Sequence, residues 1–162
     1  MQMCPEEFVK TVEDAYRSRN PTQVADLFTL DGRCYYIGYS PPDLGREAIR
    51  EHSKRYFDMI RNTDLRFKLL ASQGNMIVAE SHETGIRTHN GKPFDIRGCA
   101  IWIVENEKIK EFRFYEVEVL FSSSSEAQKI KGSPVLSWND ADFWNDPKFH
   151  KNYPHANSLK GD

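Results

Sequence analysis

Three turn signals divide residues 65–121 into four runs with the composition of β-strands. The runs are residues 65–72, 76–88, 93–104 and 108–121, separated by Gly74-Asn75, Asn90-Gly91 and the region of Asn106. Asn-Gly between two alternating runs is the strongest short-range indication of a β-hairpin. The pattern therefore predicts a four-stranded antiparallel meander. Such a sheet needs a second layer that covers its apolar face.

Amphipathic segments that precede the meander can supply this layer. Residues 5–19, 22–30 and 45–60 carry apolar side chains at helical spacing, for example Phe8 and Val12 in the first segment. Pro5 fits the first turn of a helix, and Asn20-Pro21 ends it. A short strand is predicted at residues 33–37. Helices first and antiparallel strands later predict an α+β fold with the helices on one sheet face.

Composition limits the classes of function. The formal net charge is −2, which gives no general attraction to nucleic acid or to an anionic membrane. No apolar run is long enough to span a bilayer, and the acidic N-terminal residues do not resemble a secretory signal. The three cysteines, Cys4, Cys34 and Cys99, form no CxxC pair, which argues against disulfides and a zinc site. We expect a soluble cytoplasmic protein without a metal or other cofactor.

The chain changes character after residue 121. A serine-rich stretch resembles a flexible linker, and residues 137–155 contain two Trp, two Phe and a Tyr without clear periodicity. Aromatic side chains are costly to leave in water. We therefore predict one domain at residues 1–121, followed by an extension at 122–162 that docks on its own domain or on a partner chain.

Cross-strand alignment predicts which side chains share the helix-covered face. If each turn has two residues, opposed residues form rows on one face of the sheet. The rows are Leu69, Glu80, Ile101 and Phe112; then Phe67, His82, Cys99 and Phe114; then Leu65, Thr84, Arg97 and Glu116. Ser81, Glu83, Gly98 and Ala100 are then expected on the opposite face, towards solvent or a polar partner.

Four ionisable residues thus fall into apolar rows. Glu80, His82, Arg97 and Glu116 would all lie under the helices, where an unpaired charge is expensive and shifts its pKa or finds a partner. We predict that they line a pocket between helices and sheet. Arg97 and Glu116 can either pair structurally or clamp an anionic or enolate-like substrate. His52 shares a helix stripe with Tyr56 and is expected to face the same pocket.

The succession of elements resembles a known superfamily. A short helix followed by LDG, a helix entry of the form PxxLGREAI and a meander ending in EKIKEFRFYEVE resemble the SnoaL-like branch of the nuclear-transport-factor-like superfamily over residues 5–121. The resemblance implies a cone-shaped α+β barrel in which three N-terminal helices pack on the concave face of a curved antiparallel sheet. It also implies a deep pocket and, commonly, a homodimer formed through the outer sheet face.

Catalytic positions of characterised branches do not transfer intact. The general-base Asp of ketosteroid isomerase corresponds to Tyr36, its oxyanion-hole Asp to Cys99, and its oxyanion-hole Tyr falls near Val12. The mechanism of that isomerase is therefore not expected. Phe114 replaces one aspartate of the epoxide hydrolases, whereas Tyr36 with His82 or His52 resembles the dehydratase branch in residue type.

Two hypotheses from different classes follow. The first is a cofactor-free acid–base enzyme, such as an isomerase, cyclase, dehydratase or hydrolase, acting on an apolar and cyclic small molecule. The second is a non-catalytic module for ligand binding or dimerisation. For the enzyme, the catalytic candidates are Glu80, His82, Glu116, Tyr36 and His52. The substrate-binding candidates are Arg97, Phe67, Cys99, Ile101, Phe112, Phe114 and Tyr56. A metal site from Glu80, His82 and His52 is not specified by their spacing.

Overall fold

A computed structural model of the protein describes residues 4–38 and 41–118, which form three helices and six strands. The helices are α1 (Pro5–Arg17), α2 (Pro21–Asp26) and α3 (Arg46–Met59). The strands are β1 (Phe28–Tyr36), β2 (Asp43–Leu44), β3 (Ile60–Gln73), β4 (Met76–Arg87), β5 (Pro93–Glu105) and β6 (Lys108–Glu118). The predicted α+β class is confirmed. The predicted extension at 122–162 lies outside the described residues.

Local sequence explains where the helices start. Pro5 occupies the first turn of α1, where its missing N–H is not needed, and two glutamates follow it. The Asn20 side chain caps α2 by accepting a hydrogen bond of 2.9 Å from the Thr22 N–H. The second helix was predicted to continue to residue 30, which is wrong. The chain turns into β1 at Phe28, which pairs with β6 instead.

The six strands form one sheet in the order β2-β1-β6-β5-β4-β3. Strands β3 to β6 make the predicted antiparallel meander. Strand β1 is longer than predicted and runs parallel to β6, and the two-residue β2 pairs with β1. No helix in the described ranges is long and apolar enough to cross a membrane.

Two of the turns have the predicted length, but two β-bulges change which side chains face the helices. Gln73 pairs with Met76 and Glu105 with Lys108, so both of these turns have two residues as predicted. The register shifts by one residue between Leu69 and Ala71 in β3, and again beside Ile103. A bulge of this kind opposes two residues to one. It therefore exchanges the faces of all side chains beyond it.

The two bulges invert the faces of β4 and β5 relative to β3 and β6. Around Asn90-Gly91 the register differs from the prediction by two residues, which leaves the faces unchanged. The observed helix-side rows are Leu69, Ala79, Ala100 and Phe114; then Phe67, Ser81, Gly98 and Glu116; then Leu65, Glu83, Ile96 and Glu118. The predicted positions of Phe67, Phe112, Phe114 and Glu116 are confirmed. Those of Glu80, His82, Arg97, Cys99 and Ile101 are wrong, because these residues lie on the outer face.

Packing identifies which face the helices cover. Phe8 of α1 meets the buried Trp102 of β5 edge to face, with ring centroids 5.6 Å apart. Trp102 in turn stacks on Phe112 of β6 at 5.7 Å. Ala79 and Ala100 are fully buried in the same core. Small residues on the central strands thus let the helices approach the sheet, while aromatic rings fill the space beside them.

Candidate active site

A carboxyl group and a phenol meet between the helices and the sheet. Glu83 of β4 is 8% exposed, and its Oε1 accepts a hydrogen bond from the Tyr56 hydroxyl of α3. Burial raises the pKa of Glu83 to about 7; the Tyr56 hydrogen bond and Arg19 oppose this rise, and the nearby Glu116 adds to it. A carboxyl group with a pKa near neutrality can both give and take a proton at physiological pH.

Glu116 supplies a second carboxyl group on the same face. It lies on β6 and is half-buried. Burial raises its pKa above the ordinary value, and Glu118 contributes to the rise while Arg87 opposes it. Arg87 is bound to Glu118 at 2.6 Å. Within the described residues Glu116 forms no ion pair of its own, and the cation that acts on it, Arg87, is paired with Glu118.

Gly98 lies between Ser81 and Glu116 at a closely packed point of the sheet. The three residues form one cross-strand row, and a Cβ atom at position 98 would collide with the Tyr115 carbonyl oxygen and lie 3.0 Å from Ser81 Oγ. Ser81 is 2% exposed, and its hydroxyl has no partner among the described residues. A buried hydroxyl without a hydrogen bond is uncommon and needs an explanation.

An aromatic ring and an imidazole stack beside these groups. The rings of Tyr36 and His52 lie 4.4 Å apart and nearly parallel. His52 Nδ1 is 2.7 Å from Asp43 Oδ2. Burial lowers the pKa of His52, and Asp43 opposes this effect while Arg55 adds to it. His52 is therefore a neutral imidazole at physiological pH.

Tyrosine side chains line the same region. The Tyr16 ring lies 6.4 Å from that of Tyr56, and Tyr36 meets Phe114 at 6.3 Å. Burial raises the pKa of Tyr16, Tyr36 and Tyr56, so all three stay protonated and can donate hydrogen bonds. A recess of about 10 Å³, the size of one water molecule, opens beside Tyr16 and Tyr56. Its lining is Tyr16, Arg17, Tyr56, Phe57, Thr63, Leu65 and Glu83.

The outer face holds a separate polar cluster. His82 Nε2 lies 3.0 Å from Asp95 Oδ1, and Arg97 Nε approaches the same oxygen at 3.5 Å. Asp95 is 1% exposed. Burial raises the pKa of Glu80, and Lys68, Arg97 and His82 oppose the rise. The predicted pairing of Arg97 with Glu116 is therefore wrong, because the two residues lie on opposite faces.

The structure brings together only some of the predicted site residues. Glu116, Tyr36, His52, Tyr56, Phe67, Phe112 and Phe114 lie on the helix side. Ser81 and Glu83 were assigned to the wrong face. Trp102 could have revealed the error. It lies on the same face of β5 as Gly98 and Ala100, and its large apolar ring is the side chain of β5 least suited to a face exposed to solvent. In the described part of the chain, no cluster of three or more His, Cys, Asp or Glu residues could hold a metal ion.

The fold and the site together define an α+β protein with titratable groups between its helices and its sheet. Residues 9–112 match the SnoaL-like domain family. The chain belongs to that family, and the predicted superfamily is confirmed. No curated protein shows significant similarity to the chain.

Several solved structures resemble this fold. A protein with a ketosteroid isomerase-like fold from Catenulispora acidiphila, solved in complex with trimethylamine, is 24% identical, with a TM-score of 0.62 over 67% of this chain and 84% of that one. A protein provisionally assigned as a polyketide cyclase from Xanthomonas campestris is 20% identical, with a TM-score of 0.62 over 68% and 88%. An NTF2-like protein of unknown function from Burkholderia pseudomallei is 16% identical, with a TM-score of 0.62 over 80% and 97%. At these identities the likeness concerns the fold.

Proposed function

We propose that the protein is a small-molecule enzyme that uses cofactor-free general acid–base catalysis. In this proposal the helices and the sheet form the cone of the superfamily, and the reaction takes place at its helix-side polar groups. One observation carries the proposal: Glu83 is buried, bonded to Tyr56 and has a pKa of about 7. A general base works best when its pKa lies near the operating pH.

Each group has a distinct role in this mechanism. Glu83 removes a proton from a carbon atom beside a carbonyl group, and Tyr56 orients its carboxylate. The negative charge of Glu116 raises the pKa of Glu83, which favours the state in which only one of the two carboxyl groups is ionised. Tyr36 donates a hydrogen bond to the substrate oxygen, and its stacking on His52 fixes its ring. Return of the proton at another position completes an isomerisation or a cyclisation, the reaction class favoured by the fold.

The aromatic residues on the helix side indicate the kind of substrate. Phe67, Phe112 and Phe114 lie on the helix side, which favours an apolar and cyclic metabolite. Dehydration or hydrolysis can use the same acid–base groups. Glu80 and His82 have no role in this mechanism. They were catalytic candidates because they were expected in apolar rows under the helices, whereas they lie on the outer face.

Proton exchange tests this function without knowledge of the natural substrate. Cyclic ketones and β-diketones are incubated with the protein in deuterated water, and NMR follows deuterium uptake beside the carbonyl group. The wild type should accelerate uptake for at least one ketone, and Glu83→Gln should lower the rate about 100-fold or more. Glu111→Gln, on the outer face of β6, is the matched control. Equal exchange rates in Glu83→Gln and wild type would refute the proposal.

The outer face supports a second candidate, a non-catalytic module for binding or dimerisation. Tyr115 is 41% exposed and Val117 60% exposed, and both lie on the outer face of β6. Exposed apolar side chains on a sheet face are typical of interaction surfaces. We propose that two copies pair through this face, with the extension at 122–162 contributing to the contact. The free thiols of Cys4, Cys34 and Cys99 fit a reducing, cytoplasmic setting.

A further inference from the structure

Arg19 has an unusual backbone conformation in the connection between α1 and α2. It follows Ser18, the C-cap of α1, and its φ angle is +53°. Glycine is the usual residue at this point of a helix end, because a Cβ atom disfavours the left-handed region. A residue held in such a conformation often has a functional reason, which has to be sought in the contacts of its side chain.

The guanidinium group of Arg19 holds the C-terminal end of α3. Its Nη2 atom donates hydrogen bonds to the backbone carbonyl oxygens of Phe57 and Ile60, the second at 2.8 Å. The group also lies over the Phe57 ring, 5.4 Å from the ring centroid. The last carbonyl groups of a helix have no partner within the helix, and a cation near them interacts favourably with the helix dipole. Arg19 thus connects the end of α1 to the end of α3.

This end of α3 carries the hydrogen-bond donor to Glu83. Tyr56 precedes Phe57 in the helix, and its hydroxyl donates the hydrogen bond to Glu83 Oε1. The Tyr56 and Phe57 rings lie 5.4 Å apart. A shift of the last turn of α3 would move the phenol relative to the carboxyl group, and a hydrogen bond weakens steeply when its geometry is poor. The contacts of Arg19 therefore affect the Tyr56–Glu83 pair.

The positive charge of Arg19 also acts on Glu83. Among the described residues, its guanidinium group is bonded to carbonyl oxygens and to no carboxylate. Arg17, in the last turn of α1, differs because it is bound to Glu13 at 2.8 Å. The charge of Arg19 lowers the pKa of Glu83 against the effect of burial.

The other groups around Glu83 do not supply a positive charge of this kind. Tyr16 of α1 and Tyr56 of α3 are neutral phenols, and Glu116 of β6 is a second carboxyl group. The residues opposite Glu83 in the two neighbouring strands are apolar, namely Leu65 and Ile96. The ionised form of Glu83 thus depends on Arg19 and on the Tyr56 hydroxyl.

We propose that Arg19 is a positioning residue of the acid–base site: its guanidinium group fixes the end of α3 so that Tyr56 meets Glu83, and its charge favours the carboxylate form of Glu83. This inference rests on the proposed function, since it concerns the control of the same carboxyl group. It also gives a reason for an arginine at a position whose backbone favours glycine.

The variant Arg19→Gly tests the inference with little risk to the fold, because glycine suits the backbone at this position. A carbon-detected NMR titration of the full-length protein should show a higher pKa for Glu83, since the carboxylate loses a cation and a well-placed donor. Ketone exchange that depends on Glu83 should reach half of its maximal rate at a correspondingly higher pH, because the base ionises later.

Arg19→Lys retains a positive charge and a donor, so it should restore the Glu83 pKa to near the wild-type value. Arg61→Gln, which removes an exposed cation beside Ile60, is the matched control and should change neither measurement. The inference is overturned if Arg19→Gly leaves the Glu83 pKa unchanged, or if Arg19→Lys raises that pKa as much as Arg19→Gly does.

The two measurements separate this inference from the proposed function. The NMR titration needs no substrate, so it decides the role of Arg19 even if no ketone is exchanged. Exchange that is lost in Glu83→Gln but has the same pH dependence in Arg19→Gly and wild type would overturn the inference and leave acid–base catalysis in place.

Discussion

The Tyr56 hydroxyl donates a hydrogen bond to Oε1 of Glu83 and thereby joins α3 to β4. The two residues lie on different layers of the fold, and both are largely buried. A phenol that stays protonated is a suitable donor to a carboxyl group that titrates near neutrality. This contact lies in the candidate site between the helices and the sheet.

Removal of the Tyr56 hydroxyl should raise the pKa of Glu83. The hydrogen bond stabilises the ionised carboxylate and so lowers the pKa against the effect of burial. Tyr56→Phe keeps the ring but loses the donor. A carbon-detected NMR titration of the Glu83 carboxyl group measures the change. Tyr16→Phe, which removes a phenol that is not bonded to Glu83, is the control. A fall in the Glu83 pKa in Tyr56→Phe would contradict the assigned contact.

Glu83 should make the protein less stable as the pH rises. Its folded-state pKa of about 7 lies above the ordinary value of 4.5, so the folded state binds the proton more tightly than the unfolded state. Its contribution is complete below about pH 4.5 and is lost as the pH rises to about 7, which amounts to roughly 3 kcal/mol of unfolding free energy. Urea unfolding at several pH values should show that Glu83→Gln removes this loss. An identical pH dependence in both proteins would exclude the raised pKa.

Asp43 should keep the pKa of His52 higher than burial alone would set it. Burial lowers the pKa of the imidazole, and the nearby carboxylate opposes that effect. Asp43→Asn should therefore lower the His52 pKa further, as measured by NMR titration of the ring protons. Asp64→Asn, which alters an exposed carboxylate bound to Arg66 on β3, should leave His52 unchanged. A higher His52 pKa in Asp43→Asn would refute the proposed coupling.

Adjacent residues of β5 should differ in their contribution to stability, according to their faces. Trp102 is buried under α1, whereas Ile101 lies half-buried on the outer face. Trp102→Ala should lower the free energy of unfolding by about 3–5 kcal/mol, because it removes a large core side chain. Ile101→Ala should cost less than about 2 kcal/mol. Chemical denaturation of both variants decides between the two registers, since the register predicted from sequence requires the reverse order.

A charge on the outer face should separate the proposed dimer. Val117→Asp places a carboxylate at the exposed apolar strip of β6, where an interface would have to bury it. Sedimentation velocity should show a dimer for the wild type and a monomer for the variant. Leu30→Asp, at an exposed apolar residue of β1, is the matched control and should remain dimeric. A monomeric wild type would refute the dimer proposal.

Local sequence patterns were sufficient to predict most of the helices and strands. Turn residues such as Gly74 and Asn106, which adopt positive φ angles, mark where the chain reverses. The apolar spacing of α1 and α3 likewise indicates helices that cover a sheet. These signals depend on a few neighbouring residues, and for this reason they could be recognised before the structure was known.

The pairing of strands that are distant in the sequence was harder to predict from local patterns. The parallel pairing of β1 with β6 stops α2 earlier than its helical pattern indicates. Leu70 is the extra residue at the bulge in β3, and its side chain is half exposed. The alternation of residues in β3 alone does not identify it as an extra residue. A bulge arises from the fit of two strands to each other and leaves little trace in either strand by itself.

The amino-acid sequence alone determined the α+β class, the order of the elements, two of the three meander turns and the helix-side positions of Phe112, Phe114 and Glu116. Only the tertiary structure decided that Glu83 rather than Glu80 faces the helices. The physical reason is the two-residue period of a β-strand: one extra residue in a neighbouring strand exchanges the two faces, and no local pattern in β4 records that exchange.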